Sequence, residues 1–140
     1  MNLTATEGQT VTLPCRAPNN KLLVAIEWSR PDLKQQYVYL SVDDHTERLN
    51  QHPSFKDRVI LLDRQMKDGD VSLVLINVTT DDTGTYECRV ETRTNSRRAT
   101  LDAAPISIIY LRVDPPGQPG GSAGPTAGLS AIVCLLLLLF

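Results

Sequence analysis

The chain has 140 residues, enough for one domain and a tail, and a formal net charge of −2 in which the two signs are mixed. That balance leaves no basic stripe for nucleic acid. Every charged residue lies between Glu7 and Asp114, so a charged globular part is followed by an uncharged tail.

Short β-like runs alternate with turn signals at about ten-residue spacing, the pattern of an all-β sandwich, and no helical period is sustained. Glu7-Gly8-Gln9 reads as a turn. Thr10 to Cys15 alternates, with Val11, Leu13 and Cys15 on one face. After the loop Ala17-Pro18-Asn19-Asn20, Leu22 to Ser29 is a strand with Ile26 and Trp28 inward, broken by Pro31-Asp32. Gln36 to Val42 is a further strand, and Asp43 to Thr46 turns again. Phe55 to Leu62 leads into the next strand, and Asp68-Gly69 is a hairpin signal. Val71 to Ile76 places Leu73 and Leu75 inward, Thr79 to Asp82 is a corner, Thr85 to Glu91 is a strand, and Ile106 to Val113 is the last.

From Asp114 the composition changes. Residues 114–128 are rich in Pro and Gly and read as a stalk, stiff at the prolines and loose at the glycines. Residues 129–140 are apolar except for Ser130, and they are shorter than the roughly 20 residues that a bilayer span needs. Two readings stay open: the start of a longer transmembrane helix, or a lipid-anchor signal of small residues, spacer and apolar run. The short spacer favours the helix. Cys134 within this run is either a buried thiol or a palmitoylation site.

Cys15, Trp28 and Asp82-Thr83-Gly84-Thr85-Tyr86-Glu87-Cys88 form a Cys…Trp…Cys pattern with a tyrosine two residues before the second cysteine. With Val11-Thr12-Leu13-Pro14-Cys15, Glu27-Trp28, Phe55-Lys56-Asp57-Arg58-Val59 and Lys67-Asp68-Gly69-Asp70-Val71-Ser72-Leu73, the chain resembles a variable-type (V-set) domain of the immunoglobulin superfamily. It is similar to the membrane-distal domains of the butyrophilin and B7 groups and of the coxsackievirus and adenovirus receptor group. The interval between Trp28 and Arg58 leaves room for the two strands that a variable-type domain adds, about nine in all. The last strand lacks the Gly-x-Gly bulge of antigen-receptor variable domains, which argues against an antibody-like paired receptor.

The resemblance implies roles over residues 1–113. Cys15 and Cys88 form the disulfide between the sheets, Trp28 packs on it, Arg58 and Asp82 make an ion pair, and Tyr86 is the corner tyrosine. Such a disulfide requires an oxidising compartment. No charged n-region or apolar h-region follows Met1. The expectation is therefore that the natural start lies upstream, with the first strand absent or shortened.

Asn2-Leu3-Thr4 and Asn77-Val78-Thr79 are glycosylation sequons. Alternation breaks after Leu75, which turns Asn77 outward. His45 and His52 are the only histidines and sit in a polar stretch, where a solvated loop explains them better than a metal pair. Asp43-Asp44, Asp68-Gly69-Asp70 and Asp81-Asp82 lack the ligand spacing of a calcium loop and fit turn chemistry. No catalytic set, cofactor site or small-molecule site is expected. Arg97-Arg98 reads as a solvated loop, a protease site or a partner contact.

Parity suggests a binding face. If Cys88 points inward, Arg89 and Glu91 point outward. Ile108 and Tyr110 join them from the last strand, Tyr37 and Tyr39 from a neighbouring one, and Arg93, Arg97 and Arg98 from an adjoining loop. Tyrosine and arginine beside apolar side chains match the composition of binding hot spots. The expected function is recognition of another cell-surface protein, or of a second copy, at the plasma membrane, in immune co-signalling or adhesion. The alternative is a secreted or lipid-anchored decoy without signalling.

Overall fold

A computed structural model of the chain describes residues 1–17, 22–43, 45–94, 97–98 and 104–116. Most of the expected stalk and all of the apolar segment, Cys134 included, lie outside the described residues. Among the described residues, ten strands form two sheets: β1 (Asn2–Thr6), β2 (Val11–Leu13), β3 (Leu22–Ser29), β4 (Tyr39–Val42), β5 (His45–Glu47), β6 (Val59–Leu61), β7 (Leu73–Leu75), β8 (Gly84–Thr94), β9 (Arg97–Arg98) and β10 (Ser107–Asp114). The larger, seven-stranded sheet runs β1-β10-β8-β3-β4-β5, with β9 paired to β8; the smaller runs β2-β7-β6. This is an all-β sandwich of the variable type.

Three strands were not legible as such: β1, β5 and the two-residue β9, which falls where a loop was expected. Asn2–Thr6, ahead of the first predicted strand, pairs in parallel with β10, Asn2 opposite Tyr110 through Thr6 opposite Asp114. His45–Glu47, read within a polar turn and loop, pairs with β4, His45 opposite Val42. The Asp68-Gly69 signal makes a single 3₁₀ turn, Lys67–Gly69, inside a longer connection between β6 and β7 rather than a two-residue hairpin. Gly69 has φ +77°, and a Cβ there would lie 2.3 Å from the Ala17 carbonyl oxygen. Glycine is required because the Ala17 N–H donates to the Gly69 carbonyl at 2.8 Å, which brings the two backbones together.

The core lies between the sheets. Leu13, Leu73 and Leu75 of the smaller sheet meet Ile26, Trp28, Ile109 and Leu111 of the larger, all buried. Cys15 and Cys88 are bonded across the gap, with Cα atoms 6.6 Å apart and a sequence separation of 73. Closing so long a loop contributes about 4 kcal/mol in the chain-entropy account. Trp28 is fully buried, and its Nε1–H donates to the Val71 carbonyl at 3.0 Å, so the indole adds a polar tie between the sheets to its apolar area.

One end of the sandwich is fixed by a polar network. Asp82 is buried and takes a bidentate bond from Arg58, Nη2 to Oδ2 at 2.5 Å and Nη1 to Oδ1 at 3.4 Å. The Thr79 N–H donates to Oδ2 at 2.8 Å. Arg58 also donates to the carbonyls of Ser54, Ile76 and Asn77, tying the entry to β6 to the end of β7. The Tyr86 hydroxyl donates to the Asp82 carbonyl at 2.5 Å. Its ring meets Phe55 edge-on at 6.3 Å.

A second arginine, unmarked by any motif, completes this end. Arg30 lies over the Tyr86 ring at 5.5 Å, donates to Asp32 through Nε (3.0 Å) and Nη2 (2.6 Å), and reaches the Asp81 carbonyl through Nη1. Burial pulls its pKa down, but the bond to Asp32 and the neighbouring Tyr86 outweigh it and hold the guanidinium above its ordinary value. The same bond holds the Asp32 carboxyl below the usual aspartate range. A Cβ on Gly84 would lie 3.1 Å from the Arg30 guanidinium carbon, so the glycine of the Asp-x-Gly-x-Tyr motif makes room for this side chain. Parity was the available signal, since position 30 is two residues beyond the inward Trp28.

Three outcomes are expected of this framework. Trp28→Ala lowers stability by about 3–5 kcal/mol in a denaturant titration under oxidising conditions, the usual cost of emptying a core aromatic site; an unchanged midpoint places the indole outside the core. Arg58→Leu strands the Asp82 carboxylate and costs about 3 kcal/mol or more, whereas a loss below about 1 kcal/mol denies that the pair is buried and coupled. Burial also raises the Tyr86 hydroxyl pKa well above its ordinary value. A raised native pKa means that the unfolded chain releases this proton first. Stability is therefore full below about pH 10 and declines as pH rises beyond it. Tyr86→Phe costs about 1 kcal/mol at neutral pH through the lost hydrogen bond and makes the alkaline decline shallower. An equally steep decline in the variant assigns it to other groups.

Candidate interaction face

With Cys88 and Tyr86 held inward, the alternate residues of β8 point away from the core. Glu87, Arg89 and Glu91 form a charged row down the middle of the larger sheet. Arg89 Nη1 bonds Glu87 Oε1 at 2.9 Å and the Ser29 hydroxyl at 3.3 Å. On β3, Glu27 stands opposite Arg89 and Ser29 opposite Glu87. Opposite charges on facing strands support the sheet locally. Both Arg89 and Glu87 are largely covered, so the row lies flat against the sheet rather than extending into solvent.

An apolar flank stands on each side of this row. On β10, Ile108 lies opposite Glu87 and Tyr110 opposite Thr85, and these side chains are 52% and 43% exposed. On β4 the half-buried outward residues are Leu40 and Val42, opposite Glu27 and Ala25 of β3. Beyond them, β5 ends the sheet with exposed His45 and Glu47.

Tyr37 and Tyr39 do not lie on this face. Tyr39 is paired with Trp28 in the β3–β4 register, so it shares the inward side and joins the core cluster. Tyr37 is buried as well, and its hydroxyl accepts the Asn50 N–H at 3.3 Å. Val38 between them is also buried, with its N–H on the Trp28 carbonyl, so three consecutive residues are covered and parity on this segment inverts from the expected one. The outward-facing positions that sequence reasoning missed are Leu40 and Val42. Their signal was weak, because a register between strands cannot be read from one strand alone.

The other sequence-chosen residues fall as follows. Arg89, Glu91, Ile108 and Tyr110 come together on the face. Arg93 belongs to β8 and pairs with Arg98, and Thr94 pairs with Arg97, so this segment is a strand pair extending the sheet rather than a loop. Asn77 is exposed at the corner after β7, at φ 56°. Asn2 is exposed in β1 beside Tyr110. His52 caps the turn Pro53–Phe55, accepting the Ser54 N–H, whereas His45 lies in β5, paired with Val42. Among the described residues, no group of three or more His, Cys, Asp or Glu side chains is placed to hold a metal. No helix among them is long and apolar enough to cross a membrane. The arrangement offers a broad surface with a charged centre and apolar margins.

Comparison with known proteins agrees with this geometry. The immunoglobulin V-set domain model matches residues 1–102. A homolog of CD276 antigen from Xenopus laevis is 30% identical over 115 residues, covering 75% of this chain. The match spans 35% of that relative's own length. Among solved structures, the human B7-H4 IgV-like domain superposes with a TM-score of 0.63 at 22% identity, over 81% of this chain and 93% of that one. Bovine butyrophilin gives 0.62 at 22% identity, over 91% and 58%. The V-set model covers most of the folded part, where the two sheets, the disulfide, the buried tryptophan and the tyrosine corner lie, and the chain belongs to the immunoglobulin V-set family.

Proposed function

We propose that this chain is the extracellular recognition domain of a cell-surface protein, and that it binds another protein, a second copy included, through the outer face of its larger sheet. The supporting observation is the exposed pair Ile108 and Tyr110 beside the Glu87–Arg89–Glu91 row, on a sheet whose other side is fully committed to the core. Aromatic and arginine side chains next to apolar neighbours make up most hot spots. Relatives of the B7 and butyrophilin kind favour immune co-signalling or adhesion as the setting. The uncharged Pro/Gly run and the apolar segment at residues 129–140 support attachment to the plasma membrane. A secreted or lipid-anchored decoy uses the same face and differs only in what lies beyond it.

The test needs no known partner. Because β1 pairs with β10, the protein to study is Met1 to Asp114. Concentration-dependent dimers in sedimentation, weakened about thirtyfold by Tyr110→Ala or Arg89→Ala, are the expected result for homophilic adhesion, since a binding hot spot carries about 2 kcal/mol or more. A monomer at all concentrations assigns the face to a different protein. Dimers indifferent to both changes but broken by Ile60→Ser or Val74→Ser, on the outer side of the smaller sheet, would place the interface on the opposite face.

A further inference from the structure

The two sequons differ in what a glycan on each would cover. Asn77 follows β7 of the smaller sheet, and its backbone carbonyl is held by Arg58. A sugar there projects from the corner. Asn2 lies in β1, where Leu3 and Ala5 are turned toward the core, leaving Asn2 and Thr4 exposed on the other side. In the parallel register Asn2 stands opposite Tyr110, and Thr4 stands opposite Arg112. Adjacent strands are about 4.8 Å apart, so the Asn2 amide and the Tyr110 ring are immediate neighbours on the face. β1 is also an edge strand of its sheet, so a bulky group attached to it meets no further strand.

We propose that Asn2 carries an N-linked glycan whose first sugars lie over Tyr110 and Ile108, so that its presence decides whether this apolar flank is open to a partner. The shielding is independent of any partner; only its regulatory consequence rests on the face assignment above. A glycosylated chain presents the charged row and the Leu40–Val42 flank. The unmodified chain presents the Ile108–Tyr110 flank as well. The occupant of the exposed apolar pair is therefore carbohydrate carried by the chain itself, a polar cover that keeps an aromatic side chain out of water without a second protein.

The tyrosines supply a direct readout. Of the four in the chain, Tyr37, Tyr39 and Tyr86 are buried and Tyr110 is exposed, so nitration by tetranitromethane of the folded protein reports on Tyr110. The full chain is produced through a glycosylating secretory pathway, occupancy is read by glycopeptide mass spectrometry, and the rate of Tyr110 nitration is measured. Asn2 is expected to be occupied, and nitration severalfold slower than after enzymatic removal of glycans. Asn2→Gln restores the fast rate, and Asn77→Gln leaves it slow. An unmodified Asn2 overturns the proposal, as does a nitration rate that glycan removal leaves unchanged, or one that Asn77→Gln alone accelerates. Because glycan removal acts on the folded wild-type chain, the test holds even if a variant folds poorly. Because no partner takes part, failure here is distinct from failure of the face assignment. That assignment falls separately if Tyr110→Ala leaves binding by the unglycosylated protein unchanged.

Discussion

Asp82 is a carboxylate taken out of water, and most of what the sheet can present depends on how it is satisfied. A buried charge is tolerated only when paired and hydrogen-bonded. Here Arg58 and the Thr79 N–H supply the donors, and the Tyr86 hydroxyl secures the backbone carbonyl of the same residue. That arrangement sets the parity of β8 at its first turn away from the corner. Tyr86 and Cys88 must go inward, so Glu87, Arg89 and Glu91 must go outward. The outward row is in this sense a consequence of a buried ion pair at the end of the sandwich.

The two arginines of this end do different work. Arg58 reaches across from the smaller sheet and spends its donors on carbonyls as well as on Asp82, so its loss would free both a charge and several backbone acceptors. Arg30 comes from the larger sheet, stacks on Tyr86 and takes its charge partner from Asp32, which is mostly exposed. An exposed partner is screened by solvent and contributes little by charge alone. The weight of Arg30 lies in its packing, its ring contact and its bond to the Asp81 carbonyl. Gly84 belongs to the same unit, because a larger residue would press on the guanidinium.

The outer surface follows a different logic from the core. Its central charges are paired with one another and lie flat, which lowers the cost of covering them on binding because they already have partners. The apolar residues stand at the margins, one pair on β10 and one on β4. In the proposed role, a face built in this way would discriminate by matching charge at the centre and gain affinity at the edges. The position of Asn2 beside Tyr110 puts a modification sequon at one of those edges.

The sequence by itself determined the fold class, the cysteine pair, the core tryptophan, the corner tyrosine and the Arg58–Asp82 pair. The motif residues carry these through the resemblance they support, which is what pairs Cys15 with Cys88 and Arg58 with Asp82 and gives Tyr86 its corner role; Trp28 was also placed inward by alternation within its strand, where neighbouring residues constrain one another directly. The parities of β8 and β10 were legible for the same reason, anchored by Cys88 and by the Ile109–Leu111–Val113 run. Only the tertiary structure decided β1 and β5, which are short and polar and become strands because β10 and β4 offer them edges to pair with. It also decided the fate of Tyr37 and Tyr39. Their burial is set by the register of β4 against Trp28 and by the chain around Asn50 and Gln51, and these are contacts between distant segments that no single strand encodes. Arg30 fell between the two cases: its inward parity was written in the strand, but its partner ring, Tyr86, came from across the fold.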